Sequence, residues 1–280
     1  DDFQLAPILE FTKADVKDLP SYDEDKFDKL ESIYQKSVFA NTLEKARKAG
    51  RMIELNVNYR SVKSVLNAYN IFYDGRLQNM RETVKPTKVQ FNNFEKYEDK
   101  DIFFVEVKNG KEVKEGTSRY NVEELEATAD ILKDLMKTVV NPISVSISAI
   151  FPYAAQIEKF QKKYKELINS AKKHFKSFEI DTVDAFQGRE TDIVLVNTVV
   201  TTSQGNFLNE FRRINVSMSR ARDKLFVFGN SISLGQIEMN VNGGNKRTYF
   251  REIIEDIRRY GKIIEFNGVD GGLDYGSNKP

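Results

Sequence analysis

Two apolar segments near residue 200 place the strongest constraint on the fold of this chain. Ile193 to Val200 is a run of isoleucine, valine and leucine that only Asn197 and Thr198 interrupt, and Leu225 to Phe228 is a second, shorter run. Short apolar runs rich in β-branched residues are typical of parallel strands that are covered on both faces. The sequence therefore predicts an α/β fold with a mainly parallel sheet and helices on both of its faces.

The segment between these runs has a helical pattern and carries four arginines: Arg212, Arg213, Arg220 and Arg222. Guanidinium groups keep their charge and are poorly tolerated in a protein core, so arginines beside buried strands indicate an anionic partner. On one regular helix, Arg220 and Arg222 would point about 200° apart, and we therefore expect them to have different partners. Structural salt bridges are the alternative for both residues.

Composition excludes several classes of site. The chain of 280 residues has no cysteine and one histidine, which leaves no disulfide framework and no thiolate or histidine-cluster metal site. Its formal net charge is +1 at pH 7, so a polyanion would have to bind at a local positive groove. No apolar run approaches the roughly 20 residues of a membrane span. We expect a monomeric, cytoplasmic protein without a membrane contact.

The residues around the two apolar runs resemble a known family. The segments DAFQGRE, residues 184–190, and RRINVSMSRAR, residues 212–222, resemble motifs V and VI of superfamily 1B helicases, the subgroup that contains the nonsense-mediated-decay RNA helicase. The resemblance implies a RecA-like P-loop-NTPase fold. It also implies three regions: a remnant of a first RecA-like domain with a helical crossover in residues 1–50, a second RecA-like domain in residues 51–265, and a flexible tail in residues 266–280.

The resemblance implies that three residues act on the phosphates of ATP. Gln4 lies in a Gln-Leu-x-Pro segment that resembles motif III and would sense the terminal phosphate. Arg60, which ends the segment Asn-Tyr-Arg, would contact the phosphates from the second domain. Arg220 would be the arginine finger, a group that accelerates other nucleotide hydrolyses by roughly 10³–10⁵. A polar strand end for Gln4 and a surface arginine for Arg60 are the plainer interpretations.

Four further residues are implied to bind the nucleotide. Glu190 would accept a hydrogen bond from the ribose, with Gln187 and Gly188 close to the same cleft. Arg222 would contact a phosphate or hold a carboxylate. From the residues alone, Asp184 and Gln187 also satisfy a helix capping box, and Gly188 permits a positive φ, so Gln187 and Gly188 have a structural explanation as well.

The predicted nucleic-acid contacts follow the predicted strands. Tyr153 begins a helix after an apolar strand and could stack on a base, an interaction worth on the order of 1–3 kcal/mol, or it could hold the helix to the strand. The hydroxyl of Thr182 could donate to a phosphate. Asn197 and Thr198 fall where the family places motif Va, a contact with the nucleic-acid backbone, although Asn197 replaces the family's usual serine.

The sequence contains no G-x-x-x-x-G-K-[ST] segment, and no apolar strand in it ends in an Asp-Glu pair. ATP phosphates need a loop of backbone N–H groups, a lysine and a held metal ion. We therefore expect Mg²⁺ to be held by a first RecA-like domain that this sequence does not include. The first residue is Asp rather than Met, and we expect the chain to come from a longer polypeptide.

These inferences predict the C-terminal motor domain of an ATP-dependent helicase that binds single-stranded DNA or RNA. The domain would not hydrolyse ATP alone. A non-catalytic RecA-like module that binds nucleic acid or protein is the alternative, and a metal-dependent nuclease is a third, less supported one. The residues leave the choice between DNA and RNA open, because contacts to the backbone and to stacked bases contain no evident reader of the 2′-hydroxyl.

Overall fold

The computed structural model describes residues 16–35, 38–84, 88–201, 210–240, 246–268 and 271–276. The chain divides into two units, Asp1–Asn56 and Val57–Pro280. In the first unit, the described residues form helices α1 (Glu24–Gln35) and α2 (Val38–Lys48). Across the described part of the chain, no helix is both long enough and apolar enough to cross a bilayer.

The sequence predicts a short strand over Met52–Val57, and this prediction is wrong for most of its length. Residues 51–56 have no regular secondary structure, and Ile53 and Leu55 are 91% and 92% exposed. Strand β1 (Val57–Asn58) starts at the end of this segment and pairs in parallel with β2 (Gln78–Asn79). A strand needs partners for its backbone N–H and C=O groups, and within this segment the pairing starts only at Val57.

A seven-stranded sheet forms the centre of the second unit. Its strands lie in the order β13-β12-β3-β9-β8-β6-β7, and every neighbouring pair is parallel except β13 with β12. The bounds are β3 (Ile102–Glu106), β6 (Ser146–Phe151), β7 (Ser177–Thr182), β8 (Thr191–Asn197), β9 (Ala221–Gly229), β12 (Lys262–Phe266) and β13 (Leu273–Asp274). Both predicted apolar runs are central strands, β8 and β9. The predicted mainly parallel α/β sheet of RecA-like type is confirmed.

Helices cover both faces of this sheet. One face packs against α6 (Val122–Thr138), α7 (Ala154–Lys163) and α8 (Lys165–His174), and the other packs against α3 (Lys63–Asn70), α9 (Phe211–Ser219) and α11 (Tyr249–Tyr260). Side chains alternate between the two layers along each strand: Phe103 and Val105 of β3 join the core under α6, whereas Ile102 and Phe104 belong to the opposite side. Double coverage is the reason that all seven residues of β8 are buried.

The remaining elements are short. They are α4 (Arg81–Val84), α5 (Phe94–Tyr97), α10 (Ser231–Leu234), the 3₁₀ turns Ile71–Tyr73 and Pro142–Ser144, and the strand pairs β4 (Glu112–Glu115) with β5 (Ser118–Asn121) and β10 (Met239–Asn240) with β11 (Lys246–Arg247). The dipeptide Asn109-Gly110 is a hairpin turn signal and predicts a hairpin at this place, but this prediction is wrong. The β4–β5 hairpin turns at Gly116, which has φ +60°, whereas Asn109 and Gly110 connect β3 to this hairpin.

Part of the expected flexible tail is ordered in the sheet. Phe266 is the last residue of β12, and β13 adds an antiparallel strand to the edge of the sheet. The Tyr275 hydroxyl donates to Asp134 of α6 at 2.9 Å, and Tyr97 donates to the same carboxylate. The glycines and asparagines of this segment favoured a loose tail, but tyrosine packing and strand pairing outweigh that local preference.

Candidate functional site

The residues singled out in the sequence divide between the two ends of the parallel strands. Glu190, Arg220 and Arg222 lie where β8 and β9 begin, at the amino edge of the sheet. The four predicted nucleic-acid contacts lie where β6, β7 and β8 end, at the carboxyl edge: Tyr153, Thr182, Asn197 and Thr198. At about 3.3 Å per residue, the seven residues of β8 put roughly 20 Å between the two edges.

The arginine-bearing segment is a helix followed by a strand, not one continuous helix. Helix α9 starts after Glu210, whose side chain accepts from the Arg212 N–H at 3.2 Å, and it ends at Ser219. Arg220 is the residue that caps the C-terminus, and Arg222 is the second residue of β9. The predicted 200° separation of Arg220 and Arg222 is therefore wrong, because strand pairing between Ala221 and Thr191 replaces the last helical turn.

Glu190 connects two of the predicted arginines. Its Oε2 accepts from Nε of Arg60 at 2.7 Å, and its Oε1 accepts from Nη1 of Arg222 at 3.4 Å. Partial burial acts to raise the pKa of Glu190, but the hydrogen bond and charge of Arg60, and then Arg222, outweigh burial and lower this pKa below its ordinary value. Glu190 is therefore an ionised carboxylate held between two guanidinium groups.

Asp192 fixes the other side of Arg222. Nε of Arg222 donates to Oδ1 of Asp192 at 3.1 Å, and Nη2 donates to the same oxygen. Oδ2 of Asp192 accepts from both the backbone N–H and the hydroxyl of Ser146, at 2.8 and 2.6 Å. Burial acts to raise the pKa of Asp192, but Ser146 and Arg222 together lower it. Of the two roles predicted for Arg222, the clamp on a carboxylate is the one present in this structure.

Arg220, at the C-terminus of α9, is buried and only 2% exposed. Its Nε donates to the Val216 carbonyl and its Nη1 to the Arg189 carbonyl, both at 3.1 Å. Burial, followed by the nearby charge of Arg60, lowers the pKa of Arg220 to about 10, so the group remains a cation at neutral pH. Arg60 also donates to the Ser219 carbonyl at 3.1 Å, next to Arg220. We call Arg60, Arg220 and Arg222, with Glu190 and Asp192, the arginine cluster.

The loop before Glu190 makes turns rather than a helix. Residues 183–188 are turns, so the capping-box interpretation of Asp184 and Gln187 is wrong. Gly188 has φ +87°, a conformation that strongly favours glycine. Arg189 anchors the end of the loop, because it pairs with Glu179 and Asp181 of β7 at 2.8 and 2.7 Å. The loop thereby leads from the carboxyl edge back to the amino edge, where Glu190 enters the arginine cluster. Gln4 lies outside the described residues.

At the carboxyl edge, Tyr153 and Thr182 have partly exposed side chains. Tyr153 is the residue that precedes α7, and burial raises the pKa of its hydroxyl. Oγ1 of Thr182 accepts from the Ala185 N–H at 3.4 Å and faces the turn that follows β7. Both predicted nucleic-acid residues thus lie at the end of a strand with part of the side chain reaching solvent.

Asn197 and Thr198 are buried instead. Asn197 is 3% exposed and accepts from the Thr128 hydroxyl at 3.0 Å, and Thr198 is fully buried. Glu124 of α6 accepts from the backbone N–H of Thr198 at 3.1 Å and from that of Val199 at 2.9 Å. The side chains of Asn197 and Thr198 therefore face the interior, and their burial does not support the predicted contact with a nucleic-acid backbone.

Sequence reasoning missed three buried charges: Asp192, which belongs to the arginine cluster, and Asp223 and Arg81, which lie beside it. Asp192 and Asp223 each precede an apolar strand interior by one or two residues. A carboxylate in such a position must have a cationic partner, so this pattern was a usable signal. Arg81 carries no local signal, since its partners lie far away in the sequence.

The cluster suits an anion rather than a metal ion. Its two carboxylates are already paired with arginines, and the part of the chain that the structure describes contains no group of three or more histidine, cysteine, aspartate or glutamate residues close enough to hold a metal. Three guanidinium groups and two carboxylates leave an excess of positive charge. Phosphate oxygens match guanidinium groups in both charge and geometry.

Comparisons with known proteins agree with the motifs. A family model described as an AAA domain matches residues 34–232. The chain is 35% identical over 156 residues to an ATP-dependent helicase of Methanocaldococcus jannaschii, a match that covers 56% of this chain and 20% of that protein. It is 31% identical over 192 residues to helicase Sen1 of Schizosaccharomyces pombe, which covers 66% of this chain and 11% of Sen1.

A regulator of nonsense transcripts 1 from Takifugu rubripes is 34% identical over 191 residues, which covers 66% of this chain and 17% of that protein. The chain thus spans a fifth or less of the length of these three relatives. The family match extends from α1 through motif VI and into α10, and so includes every member of the arginine cluster. The chain therefore belongs to this AAA domain family and is a superfamily 1 helicase domain of the type of Sen1 and the regulator of nonsense transcripts.

Proposed function

We propose that this chain is the second RecA-like domain of an ATP-dependent DNA or RNA helicase and that its arginine cluster acts on the phosphates of ATP. The observation that carries the proposal is the convergence of Arg60, Arg220 and Arg222 at the amino edge of the sheet. Arg60 and Arg222 share one carboxylate there, and the charges of Arg60 and Glu190 act on the buried guanidinium of Arg220.

The carboxylate of Glu190, which Arg60 and Arg222 bind, indicates which kind of ligand could replace it in the cluster. A phosphate oxygen offers Arg60 and Arg222 the same charge-assisted hydrogen bonds that Glu190 offers, with more acceptor positions. When a phosphate takes over these donors, Glu190 becomes free to accept from a ribose hydroxyl. Gln187 and Gly188, two and three residues before Glu190, would border the same cleft.

In this proposal Arg220 is the arginine finger. It is buried next to the Ser219 carbonyl that Arg60 contacts, and a phosphate that draws Arg60 outward would make it more accessible. A cation already desolvated by the protein interacts more strongly with charge developing on a γ-phosphate than a hydrated one does. Gln4 would sense the same phosphate. Mg²⁺ and the phosphate loop would come from a first RecA-like domain of the same polypeptide, so the isolated chain would not hydrolyse ATP.

Single-stranded DNA or RNA would bind at the opposite edge. Tyr153 and Thr182 support this assignment, because Thr182 ends β7, Tyr153 lies two residues after the end of β6, and both side chains are partly exposed. Strands β8 and β9 run from the arginine cluster to the carboxyl edge. A displacement of the cluster on ATP binding could therefore be transmitted through these two strands to the bound nucleic acid. We further propose that the protein acts in the cytoplasm as a monomer.

Replacement of Arg220 by alanine in the longer helicase polypeptide tests the proposal. We expect ATP turnover to fall by roughly 10³–10⁵, as for other arginine fingers, while affinity for a labelled single strand persists. Arg258→Ala, at an exposed position of α11, is the matched control. If Arg220→Ala instead lowers nucleic-acid affinity and the unmodified protein shows no ATP turnover, the chain is a non-catalytic binding module. Release of short oligonucleotides in the presence of Mg²⁺ would favour a nuclease.

A further inference from the structure

Arg81 lies outside the arginine cluster, but its side chain bonds to the backbone of two members of the cluster. The side chain is 1% exposed and is among the largest fully buried side chains of the described residues. We propose that Arg81 is a positioning residue that sets the distance between Arg60 and Arg222. This inference rests on the proposed function above, and it assigns a residue that touches neither nucleotide nor nucleic acid.

The contacts of Arg81 reach both arginine segments at once. Its Nη1 donates to the backbone carbonyl of Arg60 at 2.9 Å and also to the backbone carbonyl of Arg222. Its Nη2 forms an ion pair with Asp223, the residue after Arg222. One planar guanidinium group therefore fixes the backbone at Arg60 against the first residues of β9. A planar group with several donors can do this, whereas an ammonium group on a flexible stem cannot reproduce the geometry.

Further hydrogen bonds connect the segment that carries Arg60 with the segment that carries Arg222. The Val62 N–H donates to the Arg222 carbonyl at 2.8 Å, and the Ser61 hydroxyl donates to the Ala221 carbonyl at 2.7 Å. Asn58 accepts from the N–H of Arg60 and from that of Ser61, at 3.1 and 3.0 Å. The segment that carries Arg60 is therefore fastened to the segment that carries Arg222, and Arg81 bonds to both of these arginines.

Stability alone is a weak reason for a buried arginine at this place. Removing an arginine and a carboxylate from water costs several kcal/mol, and well-packed apolar residues often serve a fold equally well. Burial raises the pKa of Asp223 even though Arg81 lies beside it, which shows how unfavourable this interior is for charge. A positional role explains what the ion pair provides. The Arg81 guanidinium holds the backbone carbonyls of Arg60 and Arg222, and the side chains of these two arginines must reach the same phosphates.

The experiment uses the longer helicase polypeptide with Arg81→Lys and Arg81→Met. Lysine keeps the charge beside Asp223 but loses the planar fork, whereas methionine removes both. We expect kcat for ATP, measured at saturating single strand, to fall about 10- to 100-fold in both variants, as a misplacement near 1 Å can cause. The Kd for a labelled single strand should stay unchanged, because that strand would bind at the opposite edge of the sheet.

Lys224→Met is the matched control for loss of a buried charge. Lys224 is also 1% exposed and pairs with Asp101 at 2.8 Å, but its second bond goes to the Lys100 carbonyl at 2.8 Å and not to either arginine segment. We expect this variant to lose thermal stability as the Arg81 variants do and to keep the kcat of the unmodified protein.

Hydrogen–deuterium exchange separates this inference from the proposed function. The Val62 N–H should exchange faster in both Arg81 variants and stay protected in Lys224→Met, whether or not the protein hydrolyses ATP. Unchanged protection of Val62, or a kcat equal to that of Lys224→Met, overturns the role of Arg81. Absence of ATP turnover in the unmodified protein overturns the proposed function instead and leaves the exchange result to decide the positioning. If Arg81→Met does not fold, the kcat and the Val62 exchange of Arg81→Lys are compared with those of Lys224→Met instead.

Discussion

Nε of Arg60 donates to Oε2 of Glu190 at 2.7 Å, although the two residues are 130 positions apart in the sequence. The contact joins the segment after β1 to the loop before β8. Motifs that are separate in the sequence therefore form one cluster, which lies at the edge of the sheet opposite to the predicted nucleic-acid residues. Such a cluster can respond to an anion without any direct contact with a bound strand.

Replacement of Glu190 by alanine should affect nucleotide recognition more than stability. The ion pair of Arg60 and Glu190 is partly exposed, and pairs of this kind contribute less than about 1 kcal/mol. If Glu190 accepts from the ribose, the variant should show a higher KM for ATP and should no longer prefer ATP over 2′,3′-dideoxy-ATP. Steady-state kinetics with both nucleotides measures this effect, with Glu255→Ala at an exposed position as control. A preserved preference for ATP would exclude a ribose contact.

Glu124 makes stability depend on pH. Burial raises the pKa of its carboxyl from an ordinary value of 4.5 to about 8, against the opposing effect of the N–H groups of Val199 and Thr198. Because the folded pKa lies above the unfolded one, the folded state holds the proton more tightly. The contribution of Glu124 to the free energy of unfolding should therefore decline as pH rises from about 4.5 towards 8.

Glu124→Gln isolates this contribution, since glutamine keeps an acceptor oxygen but does not titrate. We expect the free energy of unfolding of the unmodified chain to fall, relative to that of the variant, as pH rises from about 4.5 to about 8, by up to a few kcal/mol at about 1.4 kcal/mol per pKa unit. Urea titrations of both proteins at several pH values measure the difference. Parallel pH profiles would show that the backbone N–H donors keep this carboxyl ionised throughout.

The sequence signals were most informative where local pattern and burial coincide. The apolar runs predicted β8 and β9 because a strand covered on both faces needs apolar residues at successive positions. The pattern of Tyr249, Ile253 and Ile257 predicted α11, in which all three side chains are buried. Family motifs added what periodicity cannot supply, namely the expectation that Arg60, Glu190 and Arg220 act at one site.

Local patterns failed where distant partners decide the structure. Asn121 does cap α6 by accepting from the Glu124 N–H at 3.2 Å, but Glu124 does not complete the capping box. The Asn121 N–H donates to Gln156 instead, at 2.7 Å, and Glu124 turns to the loop after β8. Likewise, nothing near Arg222 indicates that pairing with β8 would end the helix before it.

Tyr275→Phe tests the attachment of the C-terminal residues to the sheet. The variant removes the hydroxyl that donates to Asp134 at 2.9 Å, while Lys96 and Tyr97 still contact that carboxylate. We expect the free energy of unfolding to fall by about 1 kcal/mol, the usual net contribution of one hydrogen bond. Chemical denaturation measures the change, and Tyr260→Phe, at a tyrosine that is 61% exposed, should leave stability unaltered. Equal stabilities of the unmodified protein and both variants would indicate that the Tyr275 contact does not stabilise the fold and that residues 271–276 are a loose tail.

Tyr153 provides the sharpest test of the carboxyl edge as a nucleic-acid surface. Its side chain is partly exposed at the start of α7, so part of the residue reaches solvent at this edge. In the longer polypeptide, Tyr153→Ala should weaken binding of a labelled single strand by on the order of 1–3 kcal/mol, whereas Tyr153→Phe should bind almost normally because stacking needs the ring and not the hydroxyl. Fluorescence anisotropy gives both affinities, and Tyr260→Ala controls for loss of an exposed ring. Equal losses in the alanine and phenylalanine variants would indicate that the hydroxyl matters rather than stacking. No loss in either variant would move the strand away from this edge.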